Sequence, residues 1–227
     1  MNLLEQFNAL DASVVDRMIA EGREEDVLLD FKTVSAPDFS KRDDRRNLAI
    51  AVSGFANSSG GMIIWGVDAR RDDTGVDQAV AASEICPLRL FTSRLAEFSA
   101  TCASPPVDGV LHRALSRQGD RGFAATLVPE SSVAPHMAKL GEDRYYKRNA
   151  SRFYALEHFD LADMFGRRQR PALQLHAELR LRPSDDPHEE LHLSLFNSGR
   201  AVAKHAGLHC VLPIGTRWPA APGQYRT

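Results

Sequence analysis

The sequence predicts an α/β fold of the α+β kind: a mixed sheet flanked by helices, followed by a smaller, partial antiparallel β module. Three observations carry this. The short continuous apolar run at 62–67 has the pattern of a covered strand, the short run at 27–33 reads as another strand, and a segment of helical period separates them. Two further runs, 109–116 and 123–130, flank a Gly119-Asp120-Arg121-Gly122 turn and read as a hairpin. After Pro171 the period drops to two, the signature of half-buried strands.

In chain order, Ser13 with Asp16 forms a capping box, and Val14, Val15, Met18 and Ile19 make one apolar stripe before the stop at Gly22, which predicts a short leading helix. The run 27–33 is short and carries β-branched or aromatic residues at its ends, so it is read as a strand. Ser40 with Asp43 forms a second capping box, and Leu48, Val52 and Phe55 continue a helix over about 41–57. That helix stops at Asn57-Ser58-Ser59-Gly60-Gly61, with the glycines as left-handed cap and tight turn. Leu88, Phe91, Leu95 and Phe98 predict a helix within 84–102 with Pro87 in its first turn. One or two strands follow in 144–156, then a closing helix at 158–168. Beyond Pro171, the leucines at 173, 175, 179 and 181 and those at 191, 193 and 195 predict two strands, and 202–212 a third. Three strands are too few to close a sandwich, so this module reads as incomplete or as finishing against another chain. The domain reading is residues 1–168 and 171–227.

The chain has 227 residues and a net charge of -2, which excludes a strongly basic module; any attraction to phosphate must come from local patches. No apolar run approaches the roughly 20 residues that span a bilayer, and the acidic N-terminal stretch is unlike a signal peptide, so a cytoplasmic protein is expected. Cys86, Cys102 and Cys210 contain no C-x-x-C pair and read as buried thiols.

Three acidic residues carry the chemistry: Glu25 before the first strand, Asp30 inside it, and Asp68 at the end of the next. An acid in an apolar strand is costly without a compensating cation, donor or water. If the two strands are neighbours, the three carboxylates form a hard-oxygen set suited to Mg²⁺ or Mn²⁺, with Lys32 on a phosphate oxygen. The alternative is that Asp30 pairs with Lys32 or a nearby arginine, and that Glu25 and Asp68 are solvated end residues.

Four segments then become familiar together: Glu25 to Lys32, Phe55 to Gly61, Ile63 to Asp68, and Tyr145 to Arg148. As an ordered set over residues 13–165 they resemble the Schlafen AlbA-like domain family. The resemblance implies a nucleic-acid-handling α/β fold and, from vertebrate members, a metal-dependent endoribonuclease acting on structured RNA such as tRNA, with its carboxylates at Glu25, Asp30 and Asp68. Two departures stand out: Asp30 is one methylene shorter than the family's Glu, and Gly54 occupies a helix position that favours Ala. Vertebrate enzymes build the site from a duplicated pair of such domains, which a homodimer would replace here. The chain lacks the glycine patterns of nucleotide-binding loops, so no nucleotide cofactor is expected.

Lys41, Arg42, Arg45 and Arg46 crowd the start of the second helix, and Arg144, Lys147, Arg148 and Arg152 gather near the late strands beside Tyr145 and Tyr146. Such clusters suit RNA or DNA phosphates, with tyrosine stacking on bases, although a charge run also serves as a plain solvated face. His188 with His192, and His205 with His209 beside Cys210, are spaced by four on expected strands and read as structural. Two functions compete: the endoribonuclease, with Glu25, Asp30, Asp68 and Lys32 catalytic, and a non-catalytic nucleic-acid-binding regulator. A third makes the first domain a scaffold, with the β module recruiting a protein partner, in antiviral defence as the family suggests.

Overall fold

The computed structural model describes residues 2–71, 75–166, 171–181, 189–199, 202–204 and 206–208. The chain divides into two units, residues 1–167 and 168–227.

The first unit opens with α1 (Leu3–Asn8) and α2 (Ala12–Ala20). The capping box lies at Asn2 and Glu5 of α1, where the sequence had offered nothing recognised. The box expected at Ser13 and Asp16 does not form, because the Asp11 carboxylate accepts from Val14 N–H at 2.9 Å and starts α2 earlier. Next come β1 (Leu29–Lys32), α3 (Arg42–Ala56), β2 (Gly61–Trp65) and β3 (Val67–Arg71). The Ser40 box is also absent: Lys41 caps α3 without a side-chain bond, and the dipole is met by Asp43 and Asp44 in the first turn. Asp44 is buried and accepts from the Ser35 and Ala36 amides, both at 2.9 Å, which fixes the loop between β1 and α3. The helix stop behaves as expected, with Gly60 at φ +74°.

The unit continues through β4 (Asp77–Ala82), α4 (Leu88–Ser99), β5 (Ala103–Ser104), β6 (Leu111–Gln118) and β7 (Arg121–Val128). It closes with β8 (Met137–Ala138), β9 (Arg144–Asn149), β10 (Arg152–Ala155) and α5 (His158–Gly166). Pro87 is the N-cap of α4 rather than part of its first turn.

The principal sheet runs β1-β2-β7-β6, with β1 parallel to β2 and the other pairs antiparallel, so it is mixed as expected. Alternation along β2 explains its unbroken apolar run. Ile63 and Trp65 pack with Leu48, Val52 and Phe55 of α3 and Phe91 and Leu95 of α4, whereas Met62 and Ile64 join Phe7, Val15, Leu29, Phe31 and Phe123 on the other side. A second sheet, β10-β9-β8-β5, packs on α3, and β3 with β4 forms a two-stranded ribbon. The two sheets are tied through α3 by buried hydrogen bonds. The Asn57 amide donates to the carbonyls of His136 at 2.9 Å and Tyr146 at 2.8 Å, and its oxygen accepts from His136 N–H at 2.7 Å.

In the second unit, β11 (Leu173–Leu181) and β12 (Glu189–Asn197) form an antiparallel hairpin. Residues 202–204 and 206–208 are not strand, and the rest of the expected third strand lies outside the described residues. His188, His205, His209, Cys210 and the last two residues of the expected closing helix lie outside them as well. Cys102 is buried, and burial pushes its thiol up to about 12. Cys86 is exposed, against expectation, because it precedes the α4 cap at the surface. Among the described residues no helix is long and apolar enough to cross a membrane.

A buried ion cluster and a candidate nucleic-acid interface

Alternation along β1 decides what Asp30 meets. Leu29 and Phe31 enter the core with α1 and α2, so Asp30 and Lys32 face the opposite side, where Arg148 arrives from β9. The Asp30 carboxylate receives Arg148 Nη1 at 2.7 Å on Oδ1, and Lys32 Nζ stands 2.7 Å from Oδ2. The second contact is an ion pair outside hydrogen-bonding angles. Glu25, reaching in from the turn before β1, accepts Phe31 N–H at 2.9 Å with one oxygen and faces Arg148 Nη2 at 3.3 Å with the other. The Arg148 side chain is wholly buried. Its remaining donors go to the carbonyls of Asp26 and Leu29, and its guanidinium lies over the rings of Phe153 and Phe55.

Two carboxylates and two cations thus share a nearly dry site. Burial, and next the neighbouring Asp30 charge, push the Glu25 carboxyl up to about 7 against the opposing pull of Lys32 and Arg148. The alternative reading of Asp30 is the one observed, with both cations present, but Glu25 is buried rather than a solvated end residue.

Asp68 stands apart. Gly66, at φ +93°, turns the chain out of β2, so Asp68 lies in β3 rather than at the end of β2, and its Oδ2 accepts from Arg70 at 2.9 and 3.1 Å. It nonetheless lines the same cleft of about 420 Å³ as Glu25, Asp30, Lys32, Arg148 and Arg152. Among the described residues no three His, Cys, Asp or Glu side chains are arranged to hold a metal ion. The donor chemistry explains this. The oxygens of Glu25 and Asp30 already face an arginine, a lysine and an amide, so the set as it stands does not fit Mg²⁺ or Mn²⁺.

The basic residues expected on nucleic acid do not share one environment. Arg148 and Tyr146 are buried, because strand alternation places every second residue of β9 inward, and the Tyr146 hydroxyl bonds the Glu142 carboxylate. Lys147 lies on the opposite side of β9, with Tyr145, whose ring meets Phe165 edge-on. Arg152 donates to the Gly75 carbonyl at the cleft. The remaining ones come together. Arg42 donates to Gly141 O at 3.4 Å, Arg46 meets Glu142 at 2.9 Å, and Arg144 approaches the same carboxylate at 3.7 Å. Arg45 is tied to the carbonyls of Phe39 and Ser40, while Lys41 is exposed at the cap. Lys139, unremarked in the sequence, pairs with Asp143 next to Glu142 in the chain.

The family model described as Schlafen, AlbA_2 matches residues 25–156, more than half of the chain. The chain belongs to this family. The match begins at Glu25 and takes in Asp30, Asp68 and Arg148, so the buried cluster of this Schlafen AlbA_2 domain lies inside it. No curated protein matches the sequence. Among solved structures, the DIP2311 protein from Corynebacterium diphtheriae is similar at 18% identity and a TM-score of 0.42, over 68% of this chain and 30% of that one.

Several participants were not legible beforehand. Asn57, Ser53 and His136 form the buried link between α3 and the second sheet, and only the position of Asn57 at the helix stop hinted at a role. His112, held between Ser99 and Thr126 and driven down to about 4 by burial, had no sequence signal.

Proposed function

We propose that this Schlafen AlbA_2 domain is a non-catalytic nucleic-acid-binding module whose contact face is formed by the N-terminal turn of α3 and the start of β9. One observation carries the reading: Arg42 bonds Gly141, and Arg46 pairs with Glu142, the carboxylate that Arg144 also approaches, which joins two basic clusters about 100 residues apart into a single exposed surface. Glu142 spaces the guanidinia while leaving Arg144 mostly exposed, as phosphate contacts require. The cluster of Glu25, Asp30, Lys32 and Arg148 acts in this reading as an internal brace. Fluorescence anisotropy with labelled tRNA and with duplex DNA tests the face. Arg42→Glu with Arg144→Glu is expected to weaken binding at least tenfold, while Arg70→Glu leaves it unchanged. Equal affinity of all three proteins would remove the assignment.

The second reading is divalent-metal-dependent cleavage of structured RNA. It is favoured by the one cleft shared by Glu25, Asp30, Asp68 and Lys32, and it requires Arg148 to give up its carboxylates. Incubation of tRNA with Mn²⁺ separates the two readings. Cleavage by the wild type that is lost in Asp30→Asn, with that variant's fold retained, supports catalysis.

A further inference from the structure

The guanidinium of Arg148 sits in a cage of oxygens. Its Nη1 donates to Asp30 Oδ1 at 2.7 Å, while Nη2 reaches the carbonyls of Leu29 at 2.7 Å and Asp26 at 3.0 Å and faces Glu25 Oε2 at 3.3 Å. Carboxylates and backbone carbonyls are the ligand types that hard divalent cations take. The side chains of Arg148, Asp30 and Glu25 are 0%, 1% and 5% exposed, so the cage is dry. Asp30 Oδ2, also buried, accepts no hydrogen bond and meets the charge of Lys32.

We propose that Arg148 is the resident cation of this cleft, its guanidinium filling from within the chain the place of a divalent ion, so that Glu25 and Asp30 bind no metal while it is there. Charge is the first reason. With both acids ionised, Glu25 and Asp30 balance Lys32 and Arg148, and a divalent ion added to the four would leave two uncompensated positive charges in a dry site. Shape is the second. The guanidinium lies over the rings of Phe153 and Phe55, 4.4 and 5.2 Å from their centroids. A slot between oxygens and aromatic faces suits a planar, weakly hydrated cation, whereas Mg²⁺ keeps several of its waters. Anchoring is the third: Arg148 N–H donates to Ser58 Oγ at 2.9 Å, and the residue pairs with Phe153 across β9 and β10, so its backbone is fixed behind the side chain. The basic face of α3 and β9 has no part in this, and nucleic-acid affinity and metal uptake are separate readouts.

Titration of the metal-free full chain with Mn²⁺, the free ion followed by electron paramagnetic resonance, tests this. The wild type is expected to leave the free ion unchanged up to millimolar concentration. Arg148→Ala should take up one Mn²⁺ per chain, at least tenfold more tightly than the wild type or than Arg152→Ala, which removes a cleft arginine outside the cage. Adding Asp30→Asn to Arg148→Ala should abolish that uptake. Methylguanidinium, at a millimolar concentration too low to denature, is expected to displace this Mn²⁺ and to raise the urea midpoint of Arg148→Ala but not that of the wild type. Should Arg148→Ala fail to fold, either ion is expected to restore its circular dichroism. Mn²⁺ bound by the wild type and lost in Asp30→Asn overturns the proposal. So does an Arg148→Ala chain that takes up neither ion, or methylguanidinium alone.

Discussion

Arg148 is the residue on which the first unit turns. It neutralises two buried carboxylates and caps two carbonyls of the chain leading into β1, so its removal leaves anions in a dry site. Breaking a buried pair from one side typically costs about 3 to 5 kcal/mol, and Arg148→Ala is expected to fall in that range by urea denaturation. Arg148→Lys should recover little, because an ammonium cannot reproduce the planar fork that reaches Glu25, Asp30 and two carbonyls together. Glu25 gives a pH signature. With its carboxyl raised from 4.5 to about 7 in the folded state, the folded chain holds a proton that the unfolded chain has released. This group therefore favours folding most below pH 4.5, and its contribution is lost as pH rises to about 7. The loss is at most about 3 kcal/mol. His112 acts in the opposite sense: with its imidazole at about 4 rather than 6.5 it adds stability as pH rises through most of the same window, so denaturation midpoints of Glu25→Gln should climb across it while those of the wild type climb less or not at all. Parallel curves for the two proteins would show that Glu25 titrates normally.

At the scale of elements, α3 is the shared wall of the two sheets, and Gly54 is what lets β10 approach it. A Cβ on Gly54 would stand 2.2 Å from the Phe153 ring, which is itself held by Arg148 and packed edge-on to Phe55. Helix propensity favours alanine by about 1 kcal/mol, and overpacking costs about 1 to 3 kcal/mol. Gly54→Ala is therefore expected to destabilise the unit, by chemical denaturation, and Phe153→Leu in the same chain to relieve part of that loss. The apparent helix defect in the sequence is a packing requirement. The alternation of β9 is the companion lesson: adjacent basic residues on a strand go to opposite sides, so the run 144–148 was never one patch.

For the molecule as a whole, net charge is a poor guide, because -2 conceals a local basic surface. If that surface holds nucleic acid, affinity falls with salt, and each phosphate contact adds about 0.9 to the slope of log K against log salt for duplex DNA. Removing Arg42 and Arg144 together is expected to lower that slope by about two, while Lys147→Ala, on the far side of β9, leaves it unchanged. Titrations at several salt concentrations measure both. An unchanged slope in the double variant would place the phosphate contacts elsewhere.

The order and type of most elements in the first unit, the mixed sheet and the family were legible in the sequence, because apolar period, glycine stops and an ordered set of short motifs are properties of neighbouring residues. Capping was less legible: competition among Asp11, Ser13 and Asp44 for amides depends on how the preceding loops fold. The fate of the charges was decided only by tertiary structure. Arg148 reaches Asp30 across 118 positions, and Arg46 reaches Glu142 across 96. A charged residue reads the same in sequence whether it meets water, phosphate or an opposite charge, and only the burial and partners supplied by distant segments fix which.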